Sequence, residues 1–324
     1  MKFCRVLILL QGLLFVVGSF AVGECSRAQA PAKEKQTLPS PAERVPAHAK
    51  VLIGCWQNEE DNDRVIRFSA KKCYFARLGG ARLRIAKATY EPGKIVSEAW
   101  GKKTVYKYEF MGDRLILIPP QGKPEKYRKL ARTPAELEVR PLKLGSAGDL
   151  PKKEIDSIKG ELARRARLDQ KVRSGKVQRN ELAKVDADNT KFLVQLVQRI
   201  GWIDATRFGA AASNHAFLIV QHSGHLPLML AALPQIEKDV KAKLLDPQPY
   251  ALLFDRVQLS LGEKQRFGTQ IGRNDKGQFV VLPLQDRQRV EQFRKEIGLF
   301  PLSVYLKILE TQTGGKPIAF ADDE

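Results

Sequence analysis

The sequence has 324 residues, of which 43% are hydrophobic and 28% charged, and its formal net charge is +19 at pH 7. At roughly 100 to 200 residues per domain, this length predicts about two domains. The composition excludes a wholly disordered or collagen-like chain. A polytopic membrane protein is also excluded, because residues 6–22 form the only long apolar run.

Residues 1–23 are arranged as in a secretory signal peptide, with basic residues first, then an apolar run and then a small residue. Lys2 and Arg5 precede the apolar run at 6–22, and the small residue Gly23 favours cleavage after it. A retained membrane anchor is the alternative, because the run is close to the shortest length that spans a bilayer. We therefore expect an exported protein, periplasmic or extracellular, with no stable membrane insertion after removal of the leader.

Residues 24–47 are rich in alanine, proline and lysine, and they predict a disordered linker because proline prevents regular helix. Beyond this linker lie Cys55 and Cys73, for which an oxidising compartment permits a disulfide. A bridge between Cys55 and Cys73 is one interpretation. The other is that they are two small buried hydrophobic residues that never meet, because sequence spacing does not fix the distance between strands.

Residues 48–132 predict a small antiparallel β-barrel. Turn signals such as Pro92-Gly93 and Gly112-Asp113 recur about every 8 to 12 residues. This spacing favours an antiparallel barrel or sandwich over alternating strands and helices. The predicted strands are residues 51–56, 65–69, 73–77, 82–90, 95–100, 104–110, 114–118 and 126–130.

Gly54-Cys55-Trp56, on the first predicted strand, resembles the G-x-W opening of a lipocalin-like barrel. The resemblance covers residues 48–132 and implies a closed barrel of antiparallel strands. The predicted strands are shorter than those of ligand-carrying lipocalins. They therefore favour a small barrel that is packed around Trp56, rather than one with a large interior cavity.

Residues 133–150 contain several prolines and glycines and predict a second linker. Residues 151–312 predict an α-rich domain with one β-hairpin, which is followed by a tail at 313–324, because apolar residues recur there at helical spacing. We expect Asp188 to cap one helix and Pro234 to kink or split another. The predicted helices are residues 153–175, 191–200, 208–223, 226–245, 250–261, 287–297 and 301–309. The predicted hairpin strands are residues 267–272 and 278–284.

Polar residues interrupt these apolar helices, and a buried polar group needs either a partner or a task. His222 could act as a general acid or base, oriented by Asp169 or Asp255. Arg173 and Arg256 would then hold an anionic substrate. A buried structural network explains the same residues equally well. The candidate catalytic residues are His222, Asp169 and Asp255. The candidate ligand-binding residues are Arg173, Arg256, Gln221, Gln265, Thr269 and Gln270.

The same residues resemble the marks of an uncharacterised bacterial family, a domain of unknown function. The family's marks are D-Q-x-x-R, G-W, Q-H, D-R and G-x-x-Q-x-Y-G-T-Q, and the resemblance covers residues 155–310. In this chain Phe267 stands where the family has tyrosine. The marks in this chain are Asp169, Gln170, Arg173, Gly201, Trp202, Gln221, His222, Asp255, Arg256 and residues 265–270, followed by Arg294, Gly298 and Leu299. The resemblance implies no established reaction.

Three interpretations of function remain at this point. The favoured one is a ligand-binding module that recognises a polar or anionic component of the envelope or the extracellular medium. The second is an extracytoplasmic hydrolase that uses His222 as general acid or base with aspartate and arginine partners. The third is a stabilising pair of domains without a ligand. The motifs typical of serine hydrolases, zinc proteases and nucleotide-binding proteins do not occur in the sequence.

The sequence predicts no cofactor and no metal site. His215 and His222 lie two helical turns apart, which is too far for one mononuclear metal. The ligand remains unknown, with an anionic one favoured by the net charge. Nucleic acid is an unlikely partner, because the basic residues are spread along the chain rather than concentrated in one stripe with aromatic residues.

Overall fold

The computed structural model describes residues 46–79, 83–146, 148–174 and 179–320. The predicted signal peptide, nearly all of the first predicted linker and the last four residues of the predicted tail lie outside these ranges. The described residues form a β-barrel followed by a helical unit that carries a small sheet. This is the fold class that the sequence predicts.

Eight antiparallel strands form the barrel. Each strand pairs with the next along the chain, and β1 pairs with β8, which closes the barrel. All eight predicted strands are confirmed, since strand boundaries follow from alternating side chains and turn residues, which are local properties. The strands are β1 (Gly54–Asn58), β2 (Arg64–Phe68), β3 (Lys72–Arg77), β4 (Arg84–Glu91), β5 (Lys94–Ala99), β6 (Lys102–Met111), β7 (Arg114–Ile118) and β8 (Glu125–Leu130).

Trp56 lies in the packed core of the barrel. Its indole Nε1 donates a hydrogen bond to the carbonyl oxygen of Leu52 at 2.8 Å. Leu52 follows a short 3-10 helix, Ala47–Ala49, whose last residue is fully buried against the same core. The chain ahead of β1 therefore packs against the barrel interior beside Trp56, as a small packed barrel requires.

Eight helices follow in the part of the chain that the structure describes. They are α1 (Lys152–Ser174), α2 (Arg179–Ile200), α3 (Ala205–Phe208), α4 (Ala210–Ser223), α5 (Leu226–Lys241), α6 (Pro247–Ser260), α7 (Val290–Glu296) and α8 (Leu302–Gln312). The prediction for Asp188 was wrong, because Asp188 lies inside α2 and pairs with Arg165 of α1 at 2.6 Å instead of capping a helix. Helix α5 continues through Pro234, so this proline does not split the helix, and a kink there stays a prediction.

The predicted hairpin is present as β9 (Ile271–Arg273) and β10 (Phe279–Val281), which pair antiparallel. A third strand, β11 (Ile318–Phe320), adds to β10 in parallel and was not predicted. Parallel pairing needs a long crossover, here through α7 and α8, and such a partner leaves no local signal in the sequence.

The barrel and the helical unit are in contact. Leu226 and Leu261 of the helical unit pack in one apolar cluster with Cys55 and Val65 of the barrel. The ammonium group of Lys72 donates to the carbonyl oxygen of Leu261 at 2.8 Å. Of the helices that the structure describes, none combines the length and the apolar character needed to cross a bilayer.

Candidate functional site

Three helices bring charged side chains together inside the helical unit. Asp169 and Arg173 lie one turn apart on α1, a spacing that places two side chains on the same helix face. Helix α4 contributes His222 from its last turn, and α2 contributes Asp186. We call this group the polar centre, and its members are Asp169, Gln170, Arg173, Asp186 and His222.

Asp169 is the main hydrogen-bond acceptor of the polar centre. His222 Nδ1 lies 3.0 Å from its Oδ1, Arg173 donates from Nε and Nη2 at 3.1 and 3.0 Å, and Gln170 donates at 2.8 Å. Arg173 also donates to Asp186, so one guanidinium joins two carboxylates. Burial alone would raise the pKa of Asp169, but the hydrogen bonds and charges of His222 and Arg173 outweigh burial and lower the pKa.

His222 is a neutral imidazole at neutral pH. Burial lowers its pKa to about 4, Asp169 opposes this shift, and the positive charges of Arg173 and Arg256 add to it. Because Asp169 is ionised, the neutral ring donates from Nδ1, and the ring's lone pair is then on Nε2. An imidazole held in this tautomer has the protonation state of a general base.

Asp255, the other carboxylate that the sequence offered as a partner for His222, has a different task. It is fully buried, and it accepts hydrogen bonds from the backbone N–H groups of Arg266, Phe267 and Thr269 at 2.8, 3.0 and 2.9 Å. The Thr269 hydroxyl donates to it at 2.9 Å. Burial raises the pKa of Asp255, and these hydrogen bonds oppose the shift. Asp255 therefore fixes the chain that follows α6, whereas Asp169 is the carboxylate that is hydrogen-bonded to His222.

The predicted ligand-binding amides form a second network beside the polar centre. Gln265 and Gln270 bond each other twice, through Gln265 Nε2 to the Gln270 carbonyl at 3.0 Å and from the Gln270 N–H to Gln265 Oε1 at 2.9 Å. Arg256 donates to the Gln221 carbonyl and to Gln270 Oε1, both at 3.1 Å. The Gln270 amide also donates to the Thr269 hydroxyl at 3.1 Å. This network joins α4, α6 and the start of β9.

The predicted site residues converge, and all of them except His222 and Arg256 are buried. Asp169, Gln265, Thr269 and Gln270 are each at most 1% exposed, and the His222 side chain is 6% exposed. Their hydrogen bonds run to other groups of the same chain. Their roles in catalysis or ligand binding stay predictions, and the structure gives them a stabilising role in addition.

Asp186 belongs to the polar centre and was missed by sequence reasoning. It falls in the first half of α2, where the predicted helix had not yet begun. This part of α2 is largely polar and carries little apolar periodicity, so it gave no helical signal. The hydroxyl of Thr190 donates to the Asp186 carbonyl at 2.6 Å, one turn further on.

Cys55 and Cys73 are both buried free thiols, so the bridge that the sequence left open is not formed. The strand register explains why. Cys55 is opposite Arg67, which is opposite Tyr74, whereas Cys73 is opposite Phe68. Neighbouring residues of a strand point to opposite faces of a sheet, so Cys55 and Cys73 lie on opposite sides of the barrel wall. Burial raises the pKa of Cys73 to about 12, which makes this thiol unreactive.

A cleft of about 730 Å³ lies at the end of the barrel, near the turn between β6 and β7. Sequence reasoning did not find it, because it depends on the pairing of β1 with β8, which places Trp56 opposite Lys129. We call it the barrel cleft, and it is lined by Val51, Trp56, Glu59, Phe110, Gly112, Asp113, Arg114, Arg128 and Lys129.

The barrel cleft combines aromatic and cationic side chains. The Lys129 ammonium lies 5.2 Å from the centre of the Trp56 ring and donates to the Val51 carbonyl at 3.3 Å. Arg128 donates to the side-chain oxygen of Gln57 at 2.6 Å. Within the part of the chain that the structure describes, neither cation forms a salt bridge. Both side chains reach solvent, so their charges are available to an anion.

The fold and these sites define a two-unit protein, in which a closed antiparallel barrel with a cationic cleft is joined to a helical unit with a buried Asp–His–Arg centre. Residues 173–317 match the model of a family described as a family of unknown function, DUF6624. This confirms the resemblance of the C-terminal part to an uncharacterised family. The matched range includes Arg173 and His222 and begins just after Asp169.

No curated protein and no solved structure matches the chain. Among the described residues, no group of three or more histidine, cysteine, aspartate or glutamate side chains is placed to hold a metal ion.

Proposed function

We propose that the chain is an exported ligand-binding protein, and that the barrel cleft recognises a component of the envelope or the extracellular medium with an anionic group attached to an apolar body. The order of Lys2, Arg5 and the apolar run at 6–22 supports export. The proposal of ligand binding rests on the barrel cleft. Its volume falls within the roughly 300 to 1,000 Å³ typical of small-molecule sites.

The chemistry of the lining residues supports this ligand class. Among the described residues, the acceptors of Arg128 and Lys129 are neutral, Gln57 and the Val51 carbonyl, so a bound anion would add a charge-assisted hydrogen bond. Arg114, the third cation, already pairs with Glu59 at 2.7 Å. Phe110 is partly exposed beside them and offers contact area to an apolar group.

Dodecyl phosphate below its micelle concentration is a suitable probe, because it joins a phosphate to an alkyl chain. We expect Lys129→Gln to raise the Kd of this probe roughly tenfold, since a hydrogen bond to a charged group contributes about 1.5 to 3 kcal/mol. Isothermal titration calorimetry measures this change. Lys103→Gln is the matched control, because Lys103 is an exposed lysine on β6 outside the cleft.

Dodecyl maltoside, which has the same chain and no charge, should bind the parent protein more weakly than dodecyl phosphate does. Equal Kd values for the two variants, or equal affinity for the charged and uncharged probes, would show that the barrel cleft is not an anion site.

A hydrolase is the second candidate function, and the hydrogen bond between Asp169 and His222 is the observation that favours it. The pair has the arrangement of a carboxylate that orients a general base. In such a reaction His222 Nε2 would take a proton from water as the oxygen attacks the substrate, and the protonated ring would return that proton to the leaving group. The burial of this pair requires an opening motion before a substrate could reach it.

p-Nitrophenyl acetate and p-nitrophenyl phosphate, assayed near neutral pH, test the hydrolase. If His222 is the base, we expect His222→Gln to lower the rate of p-nitrophenol release at least about a hundredfold, the lower end of what a general base contributes. His215→Gln is the control, because His215 lies on the same helix two turns away and is half-buried. Rates equal to buffer for all three proteins would exclude this candidate for both ester classes.

A further inference from the structure

Large apolar side chains are exposed around the barrel cleft. Val51 is 53% exposed, Phe110 37% and Met111 60%. Val51 and Phe110 both line the cleft, and Met111 is the last residue of β6, immediately before the Gly112-Asp113 turn into β7. An exposed apolar group beside a pocket indicates an interaction surface.

Phe110, one member of this apolar group, packs against aromatic residues of the barrel. The Phe110 ring lies 5.9 Å from the Trp56 ring and 6.1 Å from the Tyr108 ring, measured between centroids. Gly112, with a φ of +63°, makes the tight turn that presents Met111 to solvent. A surface that is already ordered loses little conformational entropy when a partner covers it.

The charge of the barrel favours an anionic partner. Residues 46–132 contain 19 lysine and arginine residues and nine aspartate and glutamate residues, which gives a net charge of +10. Arg114, Arg128 and Lys129 line the cleft beside the exposed apolar side chains, together with Glu59 and Asp113, so the lining keeps one net positive charge. Exposed apolar side chains next to an excess of cations are the combination that binds the surface of an anionic membrane.

We propose that this end of the barrel docks on an anionic lipid bilayer, with Val51, Phe110 and Met111 in the interfacial layer and the headgroup of one anionic lipid in the barrel cleft. This inference rests on the proposed function, and it names the lipid surface as the source of the anionic amphiphile. The described chain begins at Pro46 and reaches the cleft at Val51, five residues later.

Co-sedimentation of the leaderless protein with vesicles tests the docking. We expect binding to vesicles in which about a third of the lipid is phosphatidylglycerol, and little binding to pure phosphatidylcholine. Raising the salt from about 0.05 to about 0.5 M should weaken binding, because salt screens the exposed cations. Met111→Ser should lower the partition coefficient roughly fivefold to tenfold, since it removes one apolar group from the interface.

Val105→Ser is the matched control for Met111→Ser. Val105 is 44% exposed on the same strand, β6, but it lies outside the cleft. We expect this variant to bind anionic vesicles as the parent protein does. An equal loss in Val105→Ser and Met111→Ser, or equal binding to the two kinds of vesicle, would overturn the docking.

A comparison of vesicle binding with the Kd for soluble dodecyl phosphate tests the membrane docking separately from the proposed function. Met111→Ser should leave the Kd for the soluble probe unchanged, whereas Lys129→Gln should weaken both the soluble probe and the vesicles. If the parent protein binds dodecyl phosphate but no vesicles, the membrane docking is wrong and the binding function stands. If it binds neither probe, both proposals are wrong.

Discussion

We expect Asp255→Ala to lower the free energy of unfolding by about 4 kcal/mol, because it leaves several buried donors without an acceptor. Three backbone N–H groups and the Thr269 hydroxyl converge on this fully buried carboxylate. The three backbone donors cannot turn to solvent without moving the chain between α6 and β9, whereas the Thr269 hydroxyl has a second acceptor in the Ala251 carbonyl at 3.4 Å. Urea denaturation near pH 7 measures the loss, and Asp255→Asn should lose about half as much, because its amide keeps one acceptor oxygen.

Asp246→Ala is the control for this prediction. Asp246 caps the N-terminus of the same helix, α6, where its carboxylate accepts from the Gln248 N–H at 2.7 Å in an exposed position. We expect a loss of about 1 kcal/mol, since water can replace an exposed cap. If Asp255→Ala and Asp246→Ala cost the same, the carboxylate of Asp255 does not organise the buried loop.

The second large effect is a pH-dependent loss of stability that depends on His222. Its pKa in the folded protein, about 4, lies below the ordinary value of 6.5, so the unfolded chain binds the proton more tightly. The contribution of His222 to stability is therefore fully present above about pH 6.5, and it falls as the pH drops towards 4. Because of this pKa shift, the free energy of unfolding should fall by about 3 kcal/mol between pH 7 and pH 4.

The test compares unfolding free energies of the parent protein and His222→Gln between about pH 7 and pH 4. Glutamine keeps an N–H donor for Asp169 and does not titrate, so the variant should lose about 3 kcal/mol less than the parent over this range. Contributions of carboxylates that do not contact His222 cancel in the difference. His215→Gln should keep most of the steep dependence of the parent, because burial lowers the pKa of half-buried His215 less than that of His222. Parallel curves for the parent and His222→Gln would contradict a buried neutral His222.

Much of the polar centre could be predicted, because part of it follows from helix geometry. The spacing of Asp169 and Arg173 alone indicates that they share a helix face. The pairing of His222 with Asp169 rather than Asp255 could not be predicted, since it depends on how α1 and α4 pack. Asp186 was missed for a similar reason, because a polar stretch without apolar periodicity gives no sign of the helix that carries it.

The sequence by itself determined the eight barrel strands, most of the helices and the hairpin, because alternation, helical periodicity and turn residues act over a few neighbouring positions. Only the tertiary structure decided the rest. Closure of β1 on β8 set Trp56 opposite Lys129 and created the barrel cleft. The strand register put the two cysteines on opposite sides of the barrel wall. These outcomes depend on contacts between distant residues, whose free energy is set by packing rather than by local sequence.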